Sequence, residues 1–449
     1  MSQKSIDERL KAHPLLQGRI EAILDRVEDS AGEVERADEA ERRMIEEVRQ
    51  LGNEALQSWA ERKIGEQEGT VLGQGEGVKR NGKKLCWYTT FGSIEVVEPI
   101  LIQRGRTLYP FRSGAGVRAR GYSGPLQRAM TEFGADESFE KAVGKLKEHY
   151  GVEVPVSAVR EVTLRHGAQM AVEEEPSEVA EGAHEGAVGA SLPMSSAERV
   201  IAEVDGSMIP IVRVAPPSEG EPEAGRKRRQ LEWNEARLSL ARAKGCVMPH
   251  FAATRGGPDE AGDQLKHCAL QAGMGKNTTV HCVGDGAPWI ADQVERVFGA
   301  QGGFLVDFYH LCEYVGAAAK SCAPAAPEPW FETQKQRLKE GQVDEVLAAL
   351  SPHQEPAATP DANAPVRRCY RYITNRPGQF DYPAALAAGL PLGSGEIESA
   401  HRYVIQDRLK IAGAWWKPDN AHCMLALRVN RANGAWNDYW SQQELKQAA

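Results

Sequence analysis

A series of β-like segments in the C-terminal half of the chain constrains the fold more than any other feature. Residues 200–213 contain the apolar run VIAEVDGSMIPIV, and residues 279–285, TVHCVGD, form a second run of this kind. Further strands are predicted at residues 230–241, 246–254 and 302–311, and a helix at residues 258–273. The order of three strands, a helix, a strand, a helix and a strand is typical of a mixed α/β domain.

The composition indicates a globular chain rather than a fibre, a disordered chain or a membrane protein. Of the 449 residues, 41% are hydrophobic and 26% are charged. No apolar run reaches the roughly 18 residues that cross a bilayer, so no membrane partner is expected. The eight Cys residues include no CxxC pair, which argues against a disulfide framework and against a Cys-rich zinc site. A reducing compartment fits this pattern best.

The formal net charge of −9 conceals a basic region. Residues 1–70 carry 11 Lys+Arg against 17 Asp+Glu, whereas residues 71–170 carry 15 against 10. A predicted acidic linker at residues 171–198 follows, rich in Glu, Ala and Gly. The basic region is therefore a candidate surface for phosphate groups.

The N-terminal part is predicted to contain two segments. Residues 1–75 form a helical segment whose apolar stripe either packs locally or forms a dimer seam. That stripe consists of Met44, Val48, Leu51, Ala55 and Trp59. Residues 76–135 form a basic module, in which residues 85–103 are rich in β-branched and aromatic side chains and predict a β-hairpin.

Residues 136–170 have the outline of a helix-turn-helix. A first amphipathic helix ends at Tyr150-Gly151, and a second begins at about Pro155. An ordinary helical hairpin with a solvated basic side would show the same pattern. Under the DNA-binding interpretation, the cations that meet phosphates are Lys141, Lys145, Lys147, Arg160 and Arg165.

Three acidic positions are candidates for metal binding. Asp205 and Asp285 are each followed by Gly, a pair that most often marks a simple turn. Asp205, however, has apolar residues on both sides, and a carboxylate in a buried strand costs several kcal/mol unless a cation pairs with it. A third carboxylate, either Glu396 or Glu398, begins a predicted helix. Three such carboxylates could hold two Mg²⁺ ions, whose preferred ligands are oxygens.

In their order along the chain, these motifs resemble those of bacterial insertion-sequence transposases of the DDE type, in particular the ISKra-type family. The resemblance covers roughly residues 80–440. The matching pieces are VDGSMIP, VGDGAPWI, LVDFYHL, GSGEIES, RLKIAGAWW, LALR and WNDYW.

The resemblance implies an RNase-H-like catalytic core formed by residues 199–315 and 391–440, with a helical insertion at residues 316–390. It implies that the catalytic and metal-binding triad consists of Asp205, Asp285 and Glu398, which together would hold two Mg²⁺ (or Mn²⁺) ions. The family's GSGxxES pattern selects Glu398 over Glu396. Asp307 and His310 match an accessory D-x-x-H element.

The activity that the resemblance implies is metal-dependent cleavage at the ends of a mobile element, followed by transfer of the 3′-hydroxyl into target DNA. Arg402, Arg408 and Lys410 would hold the DNA backbone near the triad. We expect the protein to act as a homodimer or larger assembly on DNA, in the cytoplasm and associated with the nucleoid. The alternatives are an RNase-H-like nuclease without strand transfer and a DNA-binding regulator with an inert catalytic half.

Overall fold

The computed structural model of the chain describes residues 5–28, 36–73, 77–103, 106–118, 120–174, 197–214 and 229–448. Most of the predicted acidic linker, residues 175–196, lies outside the described residues. The chain divides into two units: one holds the residues up to Arg165 and from Asn437 onward, and the other holds His166–Trp436. Among the described helices, none is both long and apolar enough to span a membrane.

The first unit contains a three-stranded antiparallel sheet beside a long helix. β1 and β2 form the hairpin that was predicted over residues 85–103, although it already begins at Gly77. Leu85 and Ile94 of this hairpin pack with Ala60 and Ile64 of the long helix in one buried cluster. The elements are α1 (Ile6–Lys11), α2 (Pro14–Glu28), α3 (Ala37–Gly73), β1 (Gly77–Thr89), β2 (Gly92–Gln103), β3 (Arg106–Leu108) and α4 (Pro110–Ala115).

Three further helices follow in the chain: α5 (Gly124–Asp136), α6 (Phe139–Tyr150) and α7 (Val156–Glu174). The Ser138 hydroxyl accepts the backbone N–H of Lys141, which caps the start of α6. Gly151 ends this helix with a φ of +66°, a left-handed conformation that favours glycine. The sequence therefore places both helices and the turn between them close to their observed positions. The C-terminal helix α18 (Trp436–Ala448) belongs to this unit from Asn437 onward.

The second unit is organised around a five-stranded mixed sheet, and all five strands predicted from the sequence are present. The strand order is β6-β5-β4-β7-β8. β4 pairs antiparallel with β5, and β5 pairs antiparallel with β6, whereas β4, β7 and β8 are parallel neighbours. The strands are β4 (Arg199–Val214), β5 (Arg229–Ala243), β6 (His250–Thr254), β7 (Thr279–Gly284) and β8 (Gly302–Val306). Helices α8 (Pro258–Gln271) and α9 (Pro288–Phe298) pack on the sheet through one buried apolar cluster.

The predicted strands at residues 246–254 and 302–311 are both shorter than expected, and the first begins only at His250. β8 ends at Val306, and α10 begins at Phe308. The Asp307 carboxylate accepts the backbone N–H groups of Tyr309 and His310, and it thereby satisfies two N–H groups that have no partner in the first turn of a helix. These two hydrogen bonds stabilise the start of a helix at Phe308, although the apolar residues that follow Asp307 are also compatible with a longer strand.

A group of helices follows β8 and forms its own buried core. Leu311 and Val315 pack there with Leu338, Val366 and Ile373. The elements are α10 (Phe308–Cys322), α11 (Pro327–Lys339), α12 (Val343–Leu350), α13 (Pro365–Thr374) and α14 (Tyr382–Ala387), with short 3₁₀ turns at Ser351–His353 and Asp361–Asn363. We call residues 308–387 the helical region.

The chain then enters a helical run from Gly395 to Leu409. It consists of α15 (Gly395–Ala400), a π-helical segment (His401–Gln406) and α16 (Asp407–Leu409). π-Helical segments are uncommon and often occur at functional sites. The run is followed by α17 (Pro418–Ala432).

Candidate metal centre

Three carboxylates from distant parts of the sequence line one cavity. Asp205 lies on β4 just beyond the last residues that pair with β7, and Asp285 directly follows β7. Because β4 and β7 are parallel neighbours, the two acids lie at the same edge of the sheet. Glu398 reaches the cavity from the helical run. The cavity has a volume of about 460 Å³, and its lining residues are Asp205, Asp285, Tyr309, His310, Glu313 and Glu398.

The two glutamates at the start of the helical run have different surroundings. The Arg242 Nε donates to both oxygens of Glu396, at 3.0 and 2.8 Å. Glu398 instead lines the cavity, and its Oε1 lies 3.9 Å from the His310 Nδ1. Residues two positions apart in a helix point in different directions, so only one of the two can face the cavity fully.

In the described part of the chain, neither lysine nor arginine forms an ion pair with the three predicted carboxylates. Among the residues that the structure describes, no Lys or Arg lies within ion-pair distance of Asp205, Asp285 or Glu398. Burial, followed by the negative charges of Asp285 and Glu398, raises the pKa of Asp205 to about 6. The four carboxylates that line the cavity, from Asp205, Asp285, Glu313 and Glu398, give it a net negative charge, which a divalent cation would relieve.

Asp307 is a buried structural anchor. Besides capping α10, its Oδ2 accepts the backbone N–H of Ser394 at 2.6 Å and the Ser394 hydroxyl at 2.7 Å. Burial alone would raise the pKa of this carboxylate, but the donors from His310 and Ser394 outweigh it and hold the pKa well below its usual range. Asp307 thereby ties α10 to the residue before the helical run.

A second buried acid holds the same run to the sheet. Glu203 on β4 is 1% exposed, and its Oε2 accepts the backbone N–H of Ile397 at 2.8 Å. Burial raises the pKa of Glu203 to about 8, so this carboxyl group is largely protonated at neutral pH. The start of the run is thus fixed to β4 by Glu203 and to α10 by Asp307.

His310 supplies positive charge to the cavity. Its Nδ1 lies 3.5 Å from Asp307 Oδ2, and this carboxylate is the main reason why the pKa of His310 is raised to about 9. The negative charges of Glu398 and Glu313 act in the same direction. At neutral pH the imidazole is therefore an imidazolium surrounded by carboxylates.

His401 is a site residue that the sequence analysis missed. It lies in the π-helical segment, is 2% exposed, and places its Nε2 3.4 Å from Asp205 Oδ2. Burial lowers the pKa of His401 to about 4, so the ring is neutral at neutral pH. The only available signal was its position three residues after Glu398, which puts both side chains on neighbouring faces of one helix.

The most compact set of metal-binding atoms is not the predicted triad. Among the described residues, the atoms of Asp307, His310 and Glu398 form the one set of three that all lie within 4.8 Å of one another. In this set, both Asp307 oxygens already accept hydrogen bonds. Within the predicted triad, Asp285 uses only Oδ1 in such a bond, from the Ala287 N–H, and Glu398 belongs to both sets.

The cations predicted to hold DNA near the triad differ in exposure. Arg402 and Lys410 are exposed. Arg408 is 2% exposed, and its guanidinium lies 4.8 Å from the centre of the Trp416 ring. Arg408 therefore packs within the unit in this structure, and its side chain is not on a surface that a phosphate reaches.

In the first unit, the predicted DNA-binding cations lie on α6 and α7. Lys141 and Lys145 are 3.9 and 2.9 Å from Glu137. Arg160 and Arg165 are both exposed, and the Arg165 Nη2 donates to the neutral amide oxygen of Gln127 at 2.7 Å. The two arginines on α7 thus keep their charge more fully available than the two lysines on α6.

Comparison with known proteins links this site to a family without an assigned activity. No curated protein matches the chain. A family model matches less than half of the chain. The matched segment includes Asp285, Asp307, His310 and Glu398 but not Asp205. Over residues 272–445, the chain is similar to an uncharacterised protein family, UPF0236.

Proposed function

We propose that this protein is a DNA transposase of the DDE type. It cleaves DNA at the ends of a mobile element and transfers the 3′-hydroxyl into target DNA. The observation that carries the proposal is that Asp205, Asp285 and Glu398, far apart in the sequence, line one cavity at the edge of a mixed sheet. The sequence resemblance that selected these three residues made no use of this geometry.

The topology of the sheet supports an RNase-H-like core for the second unit. Three antiparallel strands, β4, β5 and β6, are followed in sequence by β7 and β8, which continue the sheet in parallel on the other side of β4. The carboxylates lie where the central strand β4 and its parallel neighbour β7 meet, a typical location for sites in open α/β sheets.

The residues of the cavity suit Mg²⁺ or Mn²⁺. Asp205, Asp285 and Glu398 would hold two ions, because carboxylate oxygens are the hard ligands that such ions prefer. Bound ions of this kind activate a water or a 3′-hydroxyl and stabilise the leaving oxygen of a phosphodiester. The imidazolium of His310 is suited to orient a phosphate oxygen.

The proposed reaction has two balanced steps. Water first attacks the phosphorus at the element's end, the P–O3′ bond breaks, and a 3′-hydroxyl is released. That hydroxyl then attacks a phosphorus of target DNA, forms a new P–O3′ bond and releases the 3′-hydroxyl of the target strand. One phosphodiester replaces another, so the exchange requires no nucleoside triphosphate.

DNA is the proposed partner of both units. In the first unit, α6 and α7 follow one another after a short turn, as a DNA-binding helix-turn-helix would require, and α7 carries two exposed arginines, Arg160 and Arg165. In the second unit, Arg402 and Lys410 are exposed on or directly after the helical run. We propose assembly as a homodimer or larger on DNA, because two element ends must be brought together.

The test is a strand-transfer assay with the full chain. A donor DNA that contains both boundaries of the protein's own genetic locus is incubated with Mg²⁺ and a target plasmid, and joined products are quantified. We expect joined products from the wild-type protein, and a loss of more than about 100-fold for Asp205→Asn and Asp285→Asn, since even outer-shell changes cost about 10–100-fold at metal sites. Asp292→Asn, at an exposed position on α9, is the matched control and should retain activity.

The same assay separates the alternatives. Cleaved but never joined DNA would identify a nuclease without strand transfer. DNA binding without any cleavage, unchanged in Asp205→Asn, would identify a regulator with an inert catalytic half. Either result would overturn the transposase proposal.

A further inference from the structure

The turn that carries Asp285 is held by two residues of the helical region. The Tyr372 hydroxyl donates to the backbone carbonyl of Asp285 at 2.6 Å. The Arg376 Nε donates to the next carbonyl, that of Gly286, also at 2.6 Å. Successive carbonyls of one turn thus accept hydrogen bonds from side chains that lie far downstream in the sequence.

The two donors are themselves fixed. The Arg376 guanidinium lies 3.8 Å from the centre of the Tyr372 ring, and its Nη1 donates to the Tyr372 carbonyl at 2.8 Å. The Tyr372 ring stacks on Tyr314 of α10 with a centroid distance of 4.2 Å. Tyr372 is only 7% exposed and belongs to the buried core of the helical region. These contacts hold the donors before any ligand binds.

These hydrogen bonds leave the Asp285–Gly286 turn little freedom to move. Gly286 has a φ of +80°, and a Cβ built at this position would lie 2.6 Å from the Tyr372 hydroxyl and 2.7 Å from the Arg376 Nε. The carboxylate of Asp285 is linked to the same turn, because its Oδ1 accepts the backbone N–H of Ala287 at 2.8 Å. The orientation of the carboxylate therefore follows the conformation of the turn.

We propose that Tyr372 and Arg376 are positioning residues that hold the Asp285–Gly286 turn so that the Asp285 carboxylate faces the cavity shared with Asp205 and Glu398. The helical region would then set the geometry of one carboxylate of the triad, besides packing against β8. The proposed consequence for metal binding rests on the function proposed above, whereas the role of the two hydrogen bonds in holding the turn does not.

The role of Tyr372 and Arg376 in holding the turn is tested by hydrogen–deuterium exchange of the full-length protein without metal. In Tyr372→Phe and in Arg376→Gln, peptides that contain the Ala287 amide should exchange faster than in the wild type, while peptides from β4 should be unchanged. Tyr372→Phe removes only one hydroxyl and keeps the packed ring, so this variant is expected to fold. The matched controls on α13 are Tyr370→Phe and Arg371→Gln; Arg371 pairs with Asp361 on the surface.

The consequence is tested by titrating the same proteins with Mn²⁺ and measuring free ion by electron paramagnetic resonance. We expect the dissociation constant of the site to rise about 10- to 100-fold in Tyr372→Phe and Arg376→Gln, as for other outer-shell changes, and to be unchanged in the two controls. Wild-type exchange rates at Ala287, or faster exchange with unchanged Mn²⁺ affinity, would overturn the inference. A wild-type protein that binds no Mn²⁺ would instead reject the proposed metal site, and the exchange rates would still decide whether the two residues hold the turn.

Discussion

At the scale of single residues, the site depends on which of two neighbouring glutamates faces the cavity. From the residues alone, either Glu396 or Glu398 could be the third metal-binding carboxylate. Only the resemblance to DDE transposases favoured Glu398. The structure supplies a physical reason for that preference, because Arg242 on β5 engages both oxygens of Glu396. No local pattern could have predicted this pairing, since Arg242 and Glu396 are brought together only by the tertiary fold.

A pair of matched variants tests the assignment. Glu398→Gln should weaken Mn²⁺ binding by more than about 10-fold and abolish DNA cleavage, because the cavity loses a carboxylate. Glu396→Gln should largely retain Mn²⁺ binding and mainly lower the free energy of unfolding, because Arg242 loses its ionic partner. Mn²⁺ titration and urea unfolding of both variants measure the two effects, and the opposite pattern would make Glu396 the ligand.

The sequence identified three carboxylates that line the cavity, but it did not identify the roles of Tyr372 and His401. Asp205, Asp285 and Glu398 were marked by Asp-Gly pairs, an apolar strand and a family pattern. Tyr372 and His401 carry no such marks, because an isolated tyrosine or histidine in an amphipathic helix is indistinguishable from ordinary core. Their roles arise from side chains that meet across large sequence separations, which local periodicity does not encode.

At the scale of secondary structure elements, strands were predicted better than the helical region. β4 and β7 have runs of β-branched and apolar residues, so the presence of these strands could be predicted. The C-terminal limit of β8 was wrong because capping by Asp307 starts a helix where apolar character continues. The π-helical segment could not be foreseen, since it differs from an α-helix only in its hydrogen-bond pattern.

Helix α13, which carries Tyr372, is capped from outside by Glu355. The two oxygens of Glu355 accept the backbone N–H groups of Val366 at 3.1 Å and Arg367 at 2.8 Å. No side chain at the N-cap position Ala364 does this. Burial opposes ionisation, but these donors outweigh it and lower the pKa of Glu355 below its usual value.

This cap predicts a pH-dependent contribution to stability. Because the pKa of Glu355 is lower in the folded protein than in the unfolded chain, its contribution is present above the unfolded pKa and is lost as the pH falls through the folded pKa. Glu355→Gln should therefore lower the free energy of unfolding by about 1 kcal/mol at pH 7, as for other lost caps, and by less at pH 4 and below. Urea unfolding across this pH range measures the difference. Glu345→Gln, in an exposed pair with Arg337, should cause little change at any pH, and an equal loss in both variants would argue against the cap.

At the scale of the whole molecule, the chain combines an acidic total charge with a basic segment. The net charge is −9, yet residues 71–170 carry 15 Lys+Arg against 10 Asp+Glu. The basic segment lies in the first unit, whereas the carboxylate cavity lies in the second. The excess of positive charge and the cluster of carboxylates thus belong to different units.

Two arginines of the basic segment, Arg160 and Arg165, are the cations that we expect to contact DNA. Arg160 and Arg165 are exposed on α7, whereas Lys141 and Lys145 already lie beside Glu137. We therefore expect Arg160→Gln and Arg165→Gln each to weaken binding of duplex DNA, whatever its sequence. Each should also reduce the slope of log K against log salt concentration by about 1, because one phosphate contact is lost.

Fluorescence anisotropy of a labelled duplex at several salt concentrations measures both quantities. Lys141→Gln should have a smaller effect on DNA binding. Lys141 lies 3.9 Å from Glu137, whose negative charge already partly neutralises this part of the surface. Lys266→Gln, an exposed cation on α8 of the second unit, is the control for a nonspecific change of net charge. If all four variants shift the slope equally, net charge alone governs binding and α7 is not a specific DNA contact. If only the two arginine variants shift it, α7 is the element that meets the phosphates.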